Sequence, residues 1–349
     1  MTPARTRVLV CEDSKTFAAA LTRLLEHGGE IEVVGVRATA ELAIEALATL
    51  EPDLVTMDIE LPGISGLEAV EQIMSVRPTP ILVLSAHIGG DGQNAAAALA
   101  AGALEALAKD ELPLREPASA AANAFRRRVR LLSQAHVIRH PRARLSPRRA
   151  RTPGRQPKRG AVIGICASTG GPQALAALLS AIPASFAVPI LVVQHISAGF
   201  TKGLAEWLDG AVPLPVRLAE DGARAAPGVT IAPEGAHLVL GPGGVLTLDR
   251  TSAAGLHRPS ADMLLRSVAA HAAKTGVAVV LTGMGRDGAD GLAAVHEAGG
   301  LTIAQDEATS AVYGMPKEAA KRGAELVLPL GEIAGVLTTV ALDRRSKPR

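Results

Sequence analysis

Three polar residues in the C-terminal half of the chain, each closing an apolar run, are of the types that hydrolyse an acyl group. Ser168 follows Val162 to Ala167, His195 follows Pro189 to Gln194, and Asp287 lies in the glycine-rich stretch Thr282 to Gly288 after Val277 to Leu281. The runs read as buried strands, and the alanine-rich segments Gln173 to Ser180 and Ala289 to Ala298 read as helices after the first and third. Side chains at the carboxyl ends of parallel strands face the crevice where ligands bind, and a helix start adds free backbone N–H groups that favour negative charge. A serine hydroxyl is a poor nucleophile until a base takes its proton, and an imidazole needs a carboxylate to fix its tautomer and stabilise its charged form. Each residue alone has an ordinary reading: a helix-capping serine, a surface histidine, a turn aspartate. Together they make a complete hydrolytic triad. The chain order Ser, His, Asp and the absence of a G-x-S-x-G elbow set it apart from an ordinary α/β-hydrolase. Cys166 is a rival nucleophile, buried by strand alternation beside apolar neighbours, and His237 and His257 are rival bases.

A second set lies in the N-terminal half. Glu12 and Asp13 follow the run Val8 to Cys11, Asp58 follows Leu54 to Met57, Ser85 follows Ile81 to Leu84, and Lys109 follows a weak run near Ala106. Converging on one crevice, they offer three carboxylates for a hard divalent cation, one hydroxyl and one ammonium, for which Mg²⁺ with a phosphoryl group is the natural occupant. A lone aspartate at a strand end is a turn residue more often than a ligand, but five such residues at five strand ends are not loop chemistry.

Stepping from these residues to what must hold them, the runs Val8 to Cys11, Ile31 to Val36, Leu54 to Met57 and Ile81 to Leu84 alternate with helical patterns at Ser14 to Leu25, Ala40 to Leu50, Leu67 to Val76 and Gln93 to Ala101. Such alternation predicts a parallel sheet covered on both faces. In the second half, Val229 to Ala232 reads as a strand, and His237 to Leu240 with Val245 to Leu248 as a hairpin across Gly241 to Gly244. The expected class is α/β with two doubly wound parallel-sheet domains, a (βα)5 unit followed by an α/β hydrolytic unit carrying a β-hairpin.

The segments Val8 to Ser14 (VLVCEDS) and Met57 to Gly66 (MDIELPGISG), with Ser85 and Lys109, resemble the receiver domain of two-component response regulators. The resemblance implies that Asp58 accepts a phosphoryl group from a histidine kinase, that Glu12 and Asp13 hold Mg²⁺ with it, and that Ser85 and Lys109 contact the phosphoryl oxygens. Two departures stand out: Asp110 follows the lysine where receivers usually have proline, bringing a further carboxylate near the site, and Ala106 stands where they usually carry Tyr or Phe. From Ile163 onward, IGICASTGGP, VVQHIS, HRPSADMLLRS, LTGMGRDGADG and AQDEATSAVYGMP resemble the chemotaxis protein-glutamate methylesterase domain. That resemblance implies Ser168 as nucleophile, His195 as base, Asp287 as its carboxylate, and Thr169 and Met284 lining the oxyanion site with backbone N–H donors. It implies hydrolysis of glutamate γ-methyl esters on methylated chemoreceptors, with deamidation of receptor glutamines in some members, and no cofactor for the esterase.

The expected domains are residues 5 to 122 for the receiver, 123 to 158 for a linker, and 159 to 345 for the hydrolase. At 349 residues and 48% apolar, the chain has room for about two domains with cores of their own. Net charge is only +2, but Arg126 to Arg159 holds thirteen Lys or Arg and no carboxylate. With no aromatic residue on which bases could stack, this stretch reads as a helix extension followed by a solvated basic tether, not a nucleic-acid surface. A nucleotide-binding domain is disfavoured because neither G-x-x-x-x-G-K-[ST] nor G-x-G-x-x-G occurs in a strand-to-helix turn. The uncharged stretch Ala161 to Thr201 is broken by Pro172, Pro183 and Pro189, so it reads as buried core and not as a membrane span. Two distant cysteines, Cys11 and Cys166, and a start lacking a leader-like apolar region point to free thiols and a cytoplasmic protein.

Overall fold

The computed structural model describes residues 5–85, 92–137, 160–252 and 257–340. The chain divides into two compact units, Met1–Pro141 with Ile196–Leu204, and Arg142–His195 with Ala205–Arg349. The expected class, two α/β units on parallel sheets, is what forms.

The first unit carries β1 (Thr6–Cys11), β2 (Ile31–Arg37), β3 (Leu54–Asp58), β4 (Ile81–Ser85) and β5 (Glu105–Ala108) in one sheet of order β2-β1-β3-β4-β5. All its pairings are parallel. Helices α1 (Lys15–Glu26), α2 (Ala40–Leu50), α3 (Gly66–Val76), α4 (Gly92–Ala101) and α5 (Ala120–Ser133) alternate with the strands. Strands β3 and β4 are buried along their whole length, which is why they read as unbroken apolar runs. The strand order reverses direction between β1 and β3, so their carboxyl ends open the crevice expected at such a switch point. Ser14 caps α1, and Ser65 and Glu68 form a capping box at α3. Such a cap contributes roughly 1 kcal/mol and fixes where each helix leaves the crevice.

One boundary moves. The expected limit at residue 122 falls inside α5, which continues to Ser133. Arg126, the first residue of the basic stretch, is buried, and its guanidinium donates to the carbonyls of Leu24 at 3.0 Å and Pro117 at 2.8 Å. Arg128 pairs with Glu105 and Arg130 with Glu30, both at 2.5 Å. The stretch lacks carboxylates of its own, but its first turns, the expected helix extension, find them on other residues. Residues 138–159 of the expected tether lie outside the described residues.

In the second unit, β6 (Val162–Ala167), β7 (Pro189–Gln194), β8 (Val216–Leu218), β9 (Gly228–Ile231), β12 (Gly276–Val280), β13 (Leu301–Gln305) and β14 (Leu326–Leu328) form a sheet of order β14-β13-β12-β6-β7-β9-β8. Its pairings are parallel throughout. The expected hairpin is β10 (His237–Leu240) against β11 (Leu246–Asp249), antiparallel and forming a two-stranded sheet of its own. From β6 the chain first works outward through β7 and later returns to build β12, β13 and β14 on the other side, so this sheet's switch point lies between β6 and β12. Helices α6 (Gly171–Ser180), α8 (Ala261–Ala272), α9 (Ala289–Glu297), α10 (Met315–Lys321) and α11 (Leu330–Val340), with α7 (Thr201–Ala211) from Ala205 on, complete the unit. Among the described residues no helix is long and apolar enough to cross a membrane.

Candidate active site and acidic pocket

The three triad candidates follow three neighbouring strands. Ser168 comes directly after β6 and His195 directly after β7, and the backbone N–H of His195 donates to Ala167 at 2.9 Å, continuing the ladder to the strand ends. On the other side the N–H of Ser168 donates to the carbonyl of Thr282, after β12, at 3.0 Å. Two glycines make this approach feasible. Gly170, at the start of α6, has φ +69°, and a Cβ on Gly283 would lie 2.7 Å from that of Ser168. The glycines after Ser168 and after Thr282 therefore serve steric closeness and turn geometry.

His195 Nε2 lies 3.0 Å from Asp287 Oδ2. Asp287 is held from the other side by the start of α8: Ser260 Oγ donates to Oδ1 at 3.1 Å, Ala261 N to Oδ2 at 2.8 Å and Asp262 N to Oδ1 at 2.9 Å. Burial alone would raise this carboxyl's pKa. The contact with His195 and the amides of Asp262 and Ala261 more than reverse that, holding it well below the usual carboxylate range. The arrangement is reciprocal, because Asp262 Oδ1 in α8 accepts from Gly288 N at 3.0 Å and Gly291 N at 2.7 Å at the start of α9. Each helix start, with its exposed amides and positive dipole end, is thus faced by a carboxylate of the other.

Sequence reading missed Gln194, whose signal was a polar residue inside an apolar run one place before His195. It is 3% exposed, and its Nε2 donates to the carbonyls of Ser168 at 2.7 Å and of His195 at 2.8 Å. One amide group therefore ties the two residues together through their backbones. Thr282 does the same across the switch point, donating to Thr169 O at 2.9 Å while its own N–H bonds Gln305 Oε1 at 2.8 Å. Also missed was the start of α8, because its contribution is made largely by backbone N–H groups.

The remaining candidates fall around this centre. Thr169 is buried and Met284 half-buried. Burial, and then the charges of Asp287 and Asp262, push the Cys166 thiol well above its usual range, which disqualifies it as a nucleophile at neutral pH. The exposed His257 stacks on the His195 ring with centroids 4.3 Å apart. His237 is buried and accepts at Nδ1 from Ser260 N at 3.1 Å. Among the described residues no hydrogen bond joins the Ser168 hydroxyl to the imidazole, a contact that in such sites commonly tightens only with substrate.

Four of the five polar residues of the first unit meet, and Ser85 ends β4, the strand paired beside β3. Ligand atoms of Glu12, Asp13 and Asp58 lie within 4.8 Å of one another. Lys109 Nζ sits 2.7 Å from Asp58 Oδ2 and 2.7 Å from Glu12 Oε2, and 4.6 Å over the ring of Phe17. Three carboxylates against one ammonium leave the pocket short of positive charge, and an all-oxygen set of this kind fits a hard divalent cation. Ser85 Oγ is buried with no hydrogen-bond partner, a donor waiting for an acceptor. Burial is the main influence on Asp58 and raises its pKa against the opposing pull of Lys109; Glu12 is raised in the same way. Gly66 lets α3 start against the strand end, since a Cβ there would stand 2.0 Å from Asp58 O. Asp110 is exposed and is not among the carboxylates gathered here, so the expected further carboxylate stays outside; Ala106 is part of the core.

Comparison with known proteins gives the same division. Residues 163–337 match the family model for CheB methylesterase, and residues 8–115 that for the response regulator receiver domain. The chain is 42% identical to protein-glutamate methylesterase/protein-glutamine glutaminase 4 of Myxococcus xanthus, covering 95% of this chain and 96% of that protein. It is 41% identical to protein-glutamate methylesterase/protein-glutamine glutaminase 1 of Burkholderia lata, covering 95% and 98%. The crystal structure of the Thermotoga maritima CheB methylesterase catalytic domain matches 52% of this chain and 98% of its own length, at 40% identity and a TM-score of 0.50.

Proposed function

Because the chain belongs to the CheB methylesterase family and carries a response regulator receiver domain, we propose that it hydrolyses glutamate γ-methyl esters on the cytoplasmic helices of methylated chemoreceptors, under control of phosphorylation at Asp58. Residues 159 to 345 carry the esterase, and residues from 5 to the end of α5 carry the receiver. The substrate and the kinase put its work in the cytoplasm.

The observation that carries the esterase reading is the Asp287 carboxylate, fixed by three donors at the start of α8 and turned toward His195 at 3.0 Å, with Ser168 on the adjoining strand end. With Nε2 facing Asp287, Nδ1 is the ring nitrogen left to take the serine proton. Ser168 Oγ attacks the ester carbonyl and His195 takes its proton. The resulting imidazolium is stabilised by Asp287, which stays ionised. The oxyanion is met by backbone N–H groups of Thr169 and Met284. His195 then returns the proton to the departing methanol, and water, deprotonated by the same ring, cleaves the acyl-serine. A glutamine side chain follows the same route with ammonia as the leaving group.

In the receiver, Asp58 is the carboxylate that accepts a phosphoryl group from a histidine kinase. Glu12, Asp13 and Asp58 would hold Mg²⁺, which would neutralise charge on the entering phosphoryl group. The Ser85 hydroxyl and the Lys109 ammonium are then available to its oxygens. Phosphorylation relieves inhibition of the esterase.

The test is methanol release from methylated receptor, with and without a small-molecule phosphodonor and Mg²⁺. The full-length chain releases methanol and is stimulated by phosphodonor. Ser168→Ala folds but releases none, and Asp58→Asn loses the stimulation. Activity retained in the serine variant would sink the triad, and stimulation retained in the aspartate variant would sink the assignment of Asp58.

A further inference from the structure

The start of α8 has to be held in place for its amides to hold Asp287, and the group that holds it is a histidine outside the triad. His237, the first residue of β10, is 1% exposed. Its Nδ1 accepts from the backbone N–H of Ser260 at 3.1 Å, and its Nε2 faces the carbonyl of Ser252 at 3.4 Å. A backbone N–H can only donate, so Nδ1 must present a lone pair and the ring proton must sit on Nε2, toward the Ser252 carbonyl. The Arg258 guanidinium donates to that same carbonyl and, at 2.9 Å, to that of Arg250, so the segment leading into α8 is fastened to the end of the hairpin at several points.

Ser260 is the cap of α8. Its Oγ accepts from Met263 N at 3.4 Å and donates to Asp287 Oδ1 at 3.1 Å, and the next two residues supply the amides that hold the same carboxylate. Hydrogen bonds therefore run from the His237 ring to Ser260 and from there to Asp287, whose Oδ2 lies 3.0 Å from His195 Nε2. We infer that His237 is a positioning residue for the hydrolytic reaction: as a neutral, Nδ1-accepting imidazole it sets the place of the α8 cap, and through it the direction in which Asp287 presents its carboxylate to His195. The inference rests on the triad reading above. It gives this buried histidine a role distinct from that of a general base, because both ring nitrogens face backbone groups, Ser260 N and Ser252 O.

The test is steady-state methanol release by full-length His237→Leu and His237→Asn, with thermal unfolding of both. Asparagine offers an acceptor oxygen close to where Nδ1 stood, and leucine offers none. His237→Leu is expected to lose about 10- to 100-fold in kcat, the scale of a misplacement of roughly 1 Å at a reacting group, with KM changed less than about twofold. His237→Asn is expected to recover most of that loss at a similar unfolding midpoint. A folded His237→Leu with wild-type kcat would overturn the inference while leaving the triad standing, as would two variants equally impaired, since a purely structural role does not discriminate by acceptor. Should His237→Leu fail to fold, His237→Ala, smaller but likewise without an acceptor, takes its place: a similar loss of kcat is expected, and wild-type kcat would overturn the inference. Failure of the triad itself would show separately, as methanol release by Ser168→Ala.

Discussion

Both units build their sites on the same plan, at the carboxyl ends of parallel strands beside a switch in strand order, and both place an aspartate at the centre, yet the two aspartates are treated in opposite ways. Asp58 is buried with its pKa raised, and its main support is a lysine side chain that also serves Glu12. Asp287 is half-buried with its pKa lowered, and its support is largely backbone amide at a helix start. A side-chain ammonium can swing away or share itself when a cation and an anion arrive; a helix start cannot. The first arrangement suits a carboxylate that must itself react. The second suits one that must never change its charge or direction while its neighbours do the chemistry.

The sharpest way to break this comparison is to take the charge from Asp287. Asp287→Asn is expected to lower kcat for methanol release by about 10⁴-fold, the scale seen when a triad histidine is left with the wrong tautomer. In the unaltered chain Asp287 has a depressed pKa. Its contribution to stability is therefore fully present above the unfolded value of about 4 and lost only as pH falls below it. An acid limb of kcat above pH 5 then belongs to another group, and a limb that vanished in Asp287→Asn would contradict this.

Removing the helper instead of the aspartate tests the other site. Lys109→Met leaves Glu12 and Asp58 buried without their cation and is expected to cost about 3 kcal/mol at pH 7 by denaturant unfolding. Both carboxyls have raised pKa values, so the burial cost is absent at low pH and grows as pH rises; the loss should shrink on acidification. A loss independent of pH would mean that the lysine acts by packing.

Gln194→Leu keeps the volume but takes the Gln194 amide from the carbonyls of Ser168, which retains Gly171 N, and of His195. A fall of about 10-fold in kcat is expected from the displaced strand ends, with a stability loss of about 1–3 kcal/mol. Unchanged kcat would show that the strand ladder alone sets the spacing of the two residues. The smallest effect is the binding of Mg²⁺ to the acidic pocket. At tenfold over its Kd it should stabilise the receiver by about 1.4 kcal/mol, as a rise in its unfolding midpoint that Asp13→Ala abolishes.

How much of this could be read beforehand depended on whether the working atom belongs to a side chain. Ser168, His195, Asp287, Asp58 and Lys109 stand out because each interrupts an apolar run, and parallel strands bring such interruptions to one edge. The start of α8 does not stand out, since Ala261 and Asp262 act through N–H groups that any residue but proline would supply. Gln194 was hidden in the strand, and His237 was legible as a histidine but not as an acceptor, because its partner lies 23 residues away. Arg126 misled for a related reason: among so many arginines nothing in the sequence separates the buried one from the solvated ones.

The exchange of carboxylates between α8 and α9 has a consequence for how the site comes into being. Neither helix start is complete until the other is present, because Asp287 serves the amides of α8 while Asp262 serves those of α9. The two must therefore assemble, and fray, as one cooperative unit, and the amides of residues 261, 262, 288 and 291 should exchange with solvent at a common rate. In any molecule where the two helices have not docked, the Asp287 carboxylate has none of these donors to hold it.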